Sequence, residues 1–166
     1  ITALMHTPAQ EPIRAYAVER LRDAGLENET RDRHLDAFLS YAQEANARIV
    51  AGDDPESAYD SLDRDHDNLR AALDWAATSG RIEAEGALAV AVRQFWLVRG
   101  HVGEGRSRFD RAIAQTPATD RRLRASVLTH GASFAYRQGD LAVAKGWWEE
   151  ALALNRELDD AGEIGR

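Results

Sequence analysis

Three closely spaced aspartates are the first candidates for metal coordination in this sequence. Asp63, Asp65 and Asp67 have the spacing of the first ligands of a calcium loop, but Asn68 stands where such a loop needs glycine and Asp74 where it needs glutamate. The segment also reads as helical, which would point the carboxylates away from a common centre. We therefore expect a solvated helix face here and no calcium site.

The histidines of the chain form no ligand pair of their own. None of them is followed at four residues by a second histidine on the same predicted helix, which is the spacing that a helical zinc pair needs. We expect each to lie at the surface or in a hydrogen bond between helices, with His101 at the N-cap of its helix, and we predict no metal site. The histidines considered are His34, His66, His101 and His130.

Catalytic patterns are equally sparse. The chain has no cysteine, no Gly-x-Ser-x-Gly elbow and no glycine-rich phosphate loop ending in Lys-Ser or Lys-Thr. Glu149 and Glu150 are adjacent, so they point to different faces of a helix and cannot flank one substrate. The sequence predicts no enzymatic activity and no cofactor for this segment.

Charge argues against nucleic acid as a direct partner. The 166 residues carry 21 Lys and Arg against 28 Asp and Glu, a net charge of −7, whereas phosphate binding needs a basic excess. An arginine-rich stretch could form a patch for phosphate or an acidic partner, but intervening acids favour an ion-paired, solvated face. No apolar run approaches the roughly 20 residues of a membrane span, so we expect no membrane association. We also expect a cytoplasmic location. The arginines are Arg106, Arg108, Arg111, Arg121, Arg122 and Arg124.

The elements that must position these side chains are helices. Apolar residues recur at three-to-four spacing, glycine and proline fall between the periodic stretches, and no segment alternates with period two, although residues 1–10 could be the stub of a strand. The fold class is therefore all-α, with about seven helices, and the fourth predicted helix should be the most buried. Helices are predicted over about 13–24, 27–51, 54–78 (tightened or broken in two by the aspartates), 82–98, 102–115, 120–137 and 141–158.

The second half of the chain repeats itself at an offset of 39 residues. Glycine in the turn permits a tight helical hairpin, small residues allow close helix crossing, and an aromatic fills the space between neighbouring hairpins. The paired positions are Phe95 with Phe134, Gly100 with Gly139, Gly105 with Ala144, Phe109 with Trp148, Ala112 with Ala151, and Ile113 with Leu152.

These positions resemble the tetratricopeptide repeat, which implies a right-handed superhelix of antiparallel hairpins. Arg93 and Gly131 depart from its pattern, and the offset exceeds the usual period of about 34 residues. The residues that fit are Trp96, Gly100, Phe109, Ala112 and Pro117 in the first copy and Gly139, Asp140, Ala144, Trp148, Ala151 and Leu152 in the second.

Three further segments resemble large bacterial transcriptional regulators of the signal-transduction ATPase (STAND) type, AfsR-like and LuxR-like. They are Glu11-Pro-Ile-Arg-Ala-Tyr-Ala-Val-Glu-Arg-Leu21, Asp65-His-Asp-Asn-Leu-Arg-Ala-Ala-Leu-Asp-Trp75, and Phe95-Trp96 with Arg99-Gly-His101 and Glu104-Gly-Arg106. The resemblance implies that residues 1–12 are the remnant of a winged-helix module or a linker, 13–80 a helical adaptor, and 81–166 tetratricopeptide-like repeats truncated at the C-terminus. It also places ATP binding in a neighbouring domain outside this segment.

The resemblance implies a partner-binding surface on the concave face, lined by the first helix of each hairpin. Leu97 and Val98 are apolar, so we expect the preceding helices to cover that face in the first copy. With Trp148 assigned to the buried repeat position, Trp147 faces about 100° away and contacts another hairpin or lies in an interaction patch. The predicted binding residues are Gln94, Thr129, Ser133, Tyr136, Arg137 and Trp147.

The sequence leaves two functions open. The first is a non-catalytic, protein-interaction and signal-sensing module of a multidomain bacterial regulator, whose partners are other domains of its own chain or a protein or peptide ligand. The second is an oligomerisation or scaffold domain without a sensor role.

Overall fold

The computed structural model describes residues 25–164 and, before them, Arg20. Over 25–164 the chain forms seven helices and no strand, which confirms the all-α prediction. The predicted helix over 13–24, apart from Arg20, and the predicted winged-helix remnant lie outside the described residues. The helices are α1 (Glu27–Ala51), α2 (Pro55–Arg64), α3 (His66–Thr78), α4 (Ile82–Val98), α5 (Val102–Gln115), α6 (Arg121–Arg137) and α7 (Leu141–Ile164).

Local capping explains several helix boundaries. Gly52 ends α1 in the left-handed region at φ 72°, and the Asp54 carboxylate then accepts a hydrogen bond from the Ser57 N–H while Pro55 opens α2. The Asp120 carboxylate accepts the Leu123 N–H in the same way. His101 stands at the predicted N-cap of α5, but its side chain makes no capping hydrogen bond.

Of the two outcomes predicted for the aspartate segment, a tightened helix or a helix broken in two, the structure shows the second. The chain leaves helical geometry at Asp65, which has φ −103° and ψ 14°, so α2 ends at Arg64 and α3 begins at His66. The break allows α2 and α3 both to pack on α1.

Three fully buried aromatic rings join α4, α5 and α6. Trp96 meets Phe109 and Phe134 edge to face, with ring centroids 6.3 and 6.2 Å apart, and the Phe109 and Phe134 centroids are 5.2 Å apart. Such pairs add to the stability gained from buried area. α4 carries eight buried residues, more than any other helix among the described side chains, as the sequence predicted.

Two glycines allow this close packing. A Cβ atom on Gly105 would lie 2.3 Å from the Phe134 ring, and one on Gly131 would lie 2.9 Å from Ile113. Gly131, which departs from the repeat pattern, therefore makes room for a side chain of the neighbouring helix. The indole of Trp147 lies 3.4 Å from that Cβ position.

One ion pair between α4 and α5 joins a buried carboxylate to a partly exposed arginine. Glu85 is completely buried, and its Oε1 accepts a hydrogen bond from Arg111 Nε at 2.6 Å. Its second oxygen and Arg111 Nη2 have no hydrogen-bond partner. A buried charge of this kind depends strongly on its partner.

We predict that Gly105→Ala destabilises the fold by about 1–2 kcal/mol, because overpacking a core costs about 1–3 kcal/mol and the gain in helix propensity offsets only part of it. Gly103→Ala is the matched control. It lies on the same helix, and nothing stands within 4 Å of its Cβ position. Urea unfolding should show a lower midpoint for the first variant and an unchanged or higher one for the second. Equal midpoints would contradict the close contact with Phe134.

We also predict that Arg111→Ala lowers the free energy of unfolding by about 3 kcal/mol, since Glu85 keeps a buried, unpaired charge. The double variant Glu85→Met, Arg111→Met should regain most of that loss, because apolar replacement of a buried pair is often neutral. Arg121→Ala is the control. Arg121 and its partner Glu157 are 54% and 53% exposed, so this substitution should cost less than about 1 kcal/mol. Denaturant unfolding of the wild type and the three variants measures the difference.

Candidate functional site

A cluster of charged and imidazole side chains lies where α2, α3 and the α4–α5 turn meet, and we call it the polar junction. The segments around 65–70 and 99–106, which carried the family resemblance, come together here although more than 30 residues separate His66 from Glu104. The polar junction consists of Asp63, His66, Arg70, Arg99, His101 and Glu104.

The break at Asp65 places His66 in the interior. As the first residue of α3, His66 keeps only 9% of its surface exposed. Its ring meets Phe95 edge to face at 5.0 Å between centroids and lies 4.4 Å from the ring of His101. Gly100, at φ 84°, turns the chain between α4 and α5 so that His101 reaches this position.

Glu104, in the first turn of α5, is the acceptor at the centre of the polar junction. Arg70 donates to it from Nη2 at 2.7 Å to Oε2 and from Nε at 3.0 and 3.1 Å to the two oxygens. The same Oε2 lies 3.1 Å from Nε2 of His66. This contact lacks the alignment of a hydrogen bond, and the buried Nε2 has no other hydrogen-bond partner.

The protonation states of these groups follow from burial and neighbours. Burial lowers the pKa of His66. The positive charge of Arg70 lowers it further, whereas the carboxylates of Glu104 and Asp67 act in the opposite direction without reversing the shift. Burial alone would raise the pKa of Glu104. The hydrogen bonds and positive charge of Arg70, together with His66, lower the pKa by more than burial raises it. The pKa of Glu104 therefore lies below its usual value. At neutral pH the pair is a neutral imidazole against a carboxylate.

The three aspartates point to different partners. Asp63 pairs with Arg99 at 3.0 Å and stands 3.9 Å from Nε2 of His101. Asp65 accepts from Tyr41 and Asn68, and Asp67 pairs with Arg70. Their carboxylates are thus engaged separately along the helix break. The partners of this set are Arg99, Tyr41, Asn68 and Arg70.

Sequence reasoning missed the grouping of His66, His101 and Glu104. It tested ligand pairs on one helix, whereas this group is assembled from α3, the α4–α5 turn and α5. One ligand atom from each residue lies within 4.8 Å of the others. The available signal was that each of two motifs, 65–70 and 99–106, carries a histidine beside charged residues.

The predicted binding residues lie mainly on α6. The Thr129 hydroxyl donates to the Ala125 carbonyl at 2.7 Å, and the Ser133 hydroxyl donates to the Thr129 carbonyl at 3.5 Å, so both bond back to their own helix. Tyr136 and Arg137 are exposed, whereas Gln94 is half-buried on α4. The structure therefore brings four of the six onto one helix.

Of the expectations for the two adjacent tryptophans, the contact of Trp147 with another hairpin is confirmed, since Arg106 belongs to α5, whereas the burial of Trp148 was wrong. Trp147 packs against the core beside Gly131, with Arg106 stacked over its ring at 5.1 Å, whereas Trp148 is 40% exposed. The prediction assumed that Trp148 would be covered as Phe109 is, but Phe134 of the next helix covers Phe109. No helix among residues 25–164 takes that place over Trp148.

Large apolar side chains are consequently exposed on α7 and the end of α6, and we call them the terminal face. The Tyr136 and Trp148 rings are 5.9 Å apart, and Trp148 Nε1 donates to the Thr129 carbonyl at 3.3 Å. Spacings of seven and four residues put the three α7 members on one side of the helix. The terminal face comprises Tyr136 (58% exposed), Leu141 (59%), Trp148 (40%) and Leu152 (50%).

The first copy is covered only in part. Leu97 packs against the core as expected, but Val98 is 55% exposed, so the expectation that the preceding helices cover both residues was wrong for Val98.

The arginine-rich stretch forms ion pairs, as predicted. Five of its six members pair with carboxylates, and Arg124 additionally donates to the carbonyls of Ile113 and Thr116. The pairs are Arg106 with Asp110 and Asp140, Arg108 with Asp74, Arg111 with Glu85, Arg121 with Glu157, and Arg124 with Glu150.

Comparison with known proteins points to one class. The chain is 30% identical over 167 residues to proteins of Mycobacterium tuberculosis and Mycobacterium bovis that are named, provisionally, HTH-type transcriptional regulators. The match covers 94% of this chain and 18% of each relative, so the chain spans less than a fifth of their length. No family model and no solved structure matches the chain. Among the described residues, no helix has the length and apolar character to cross a bilayer.

Acid should destabilise the protein through His130. Burial, with the charge of Arg93, lowers the pKa of this imidazole to about 4. The unfolded chain binds the proton near pH 6.5 and the folded chain only near pH 4, so stability falls as the pH drops through this window. Through this lowered pKa, the free energy of unfolding falls by about 2 kcal/mol between pH 7.5 and pH 5.

His130→Gln should therefore lose less stability than the wild type between these two pH values. Urea midpoints at pH 7.5 and 5 measure the effect. The control is Gln43→Ala, an exposed α1 substitution that removes no titrating group and should keep the wild-type pH dependence. His66 contributes in the same direction in all three proteins. An unchanged pH dependence in His130→Gln would contradict the assignment.

Proposed function

We propose that the chain is a helical region of a multidomain bacterial transcriptional regulator and acts there as a non-catalytic interaction and signal-sensing module. The match to HTH-type regulators along 94% of the chain supports this placement. The net charge of −7 agrees with DNA contact by a different domain. The proposal specifies the AfsR-like or LuxR-like STAND class, with ATP bound by a neighbouring domain and the protein in the cytoplasm.

The architecture in this proposal is a tetratricopeptide-like superhelix joined to an adaptor. The α4–α5 and α6–α7 hairpins are its first two repeats, and α1–α3 form the adaptor. The 39-residue offset and the shared small residues at the helix crossings support it, since Gly105 and its counterpart Ala144 are both buried.

The terminal face is the observation that carries the interaction role. Its four large apolar side chains are each at least 40% exposed, and the exposed Arg137 follows Tyr136 at the end of α6. Contiguous exposed apolar surface with polar neighbours is typical of a contact site. In this proposal it receives another domain of the same protein or a protein or peptide ligand, and neither nucleic acid nor membrane.

The alternative is an oligomerisation scaffold, and the same surface favours it. An exposed apolar surface can pair with its own copy by two-fold symmetry. The two functions differ in whether the terminal face is free in the isolated chain.

Sedimentation velocity of the 166-residue chain distinguishes them. We expect a monomer at micromolar concentrations, with Trp148→Ser and the control Val50→Ser (67% exposed, on α1) sedimenting as the wild type does. A wild-type dimer that Trp148→Ser abolishes and Val50→Ser retains would contradict the sensor role and support the scaffold.

A second arm tests the sensor role directly. In a regulator that carries this segment, Tyr136→Ala with Arg137→Ala should change transcription from a promoter that it controls without changing its affinity for DNA. The exposed α1 substitution Gln43→Ala is the control. Unchanged transcription in the double variant would argue against signal sensing through this face.

A further inference from the structure

We propose that His66, His101 and Glu104 bind one divalent transition-metal ion, with Zn²⁺ the best match to the donor set. Two imidazoles and one carboxylate are a common ligand set for zinc, whereas Ca²⁺ and Mg²⁺ prefer oxygen donors alone.

The separation of two donor atoms supports a shared ion. Nε2 of His66 and Oε2 of Glu104 lie 3.1 Å apart. Two ligands on a tetrahedral zinc ion, with bonds of about 2.0–2.1 Å, are separated by about 3.3 Å. Since the contact is not aligned as a hydrogen bond and Nε2 has no other partner, a cation between these two atoms would satisfy a buried polar nitrogen.

His101 supplies the third donor. One ligand atom from each of the three residues lies within 4.8 Å of the other two. The His101 side chain is 31% exposed, which gives an ion a path from solvent. The fourth position can be filled by water or by Asp63, whose Oδ1 lies 3.9 Å from Nε2 of His101.

Protonation and orientation also suit a metal ion. Burial keeps His66 neutral by lowering its pKa, and neutral imidazole is the form that binds metals. Arg70 holds the Glu104 carboxylate in place through hydrogen bonds of 2.7–3.1 Å, as outer partners of metal ligands do. The positive charges of Arg70, Arg99 and Arg108 oppose the ion, while the carboxylates of Asp63 and Asp67 favour it.

An ion at this place would join two parts of the fold. His66 begins α3, whereas His101 and Glu104 belong to the first hairpin, α4–α5. An ion that binds the folded chain and not the unfolded chain would raise the free energy of unfolding in proportion to the logarithm of the metal concentration. The site is thus suited to strengthening the contact between α3 and the hairpin.

Metal titration of the chelator-treated 166-residue chain tests the proposal. Co²⁺ should give a saturable visible absorption band at one ion per chain, and Zn²⁺ should displace it and raise the urea midpoint. Mg²⁺ at the same concentration should do neither. His66→Ala and His101→Ala should each weaken Zn²⁺ binding by more than about 100-fold, since loss of an outer partner alone costs about 10- to 100-fold.

Two controls keep the result decisive. His34→Ala, on α1, should bind as the wild type does. Glu104→Gln retains the size of the side chain, so it tests the carboxylate ligand if an alanine variant unfolds. Circular dichroism without metal establishes whether each protein is folded. No saturable binding by the wild type, or binding that survives in folded His66→Ala and His101→Ala, would overturn the proposal.

Discussion

The close approach of α6 to α5 at Gly105 determines the geometry of the rest of the structure. A Cβ at this position would lie 2.3 Å from the Phe134 ring, so only glycine lets that ring reach Phe109 and Trp96. With three aromatic rings interlocked, α5 cannot shift along α4 without opening a cavity. The α4–α5 turn is thereby held in one place, and it presents His101 and Glu104 towards the start of α3.

The polar junction follows from that constraint and from the break at Asp65. A continuous helix over 55–78 would give residues 66–70 a different direction, whereas the break turns His66 inward and brings Arg70 to Glu104. Groups this buried are costly unless paired. The two motifs around the junction therefore have a physical reason to occur together, because each supplies partners for the charges of the other.

Local physics made most of the fold predictable, and tertiary context limited the rest. Most helix extents over residues 25–164, the cap at Asp54 and the break at Asp65 depend on neighbours in sequence, and the structure confirms them. The predicted end of α7 at about 158 was wrong, since the helix continues to Ile164. The contact of His66 with Glu104 depends on how α3 and α5 pack against each other. The spacing of residues within one helix gives no information about that packing. The prediction that Trp148 is buried was wrong because it assumed that a helix covers Trp148 in the second copy as one covers Phe109 in the first. The repeat pattern specifies an aromatic residue at both positions but does not specify such a neighbouring helix.

That failure indicates what kind of surface α7 presents. Phe109 and Trp148 occupy equivalent repeat positions, as do Ile113 and Leu152, yet the first member of each pair is buried and the second is 40–50% exposed. Burial at these positions is thus set by the element packed on them, since Phe134 of α6 covers Phe109. The terminal face therefore has the composition of an internal interface between hairpins, and a partner that presents an apolar helix would fit it better than a charged polymer would.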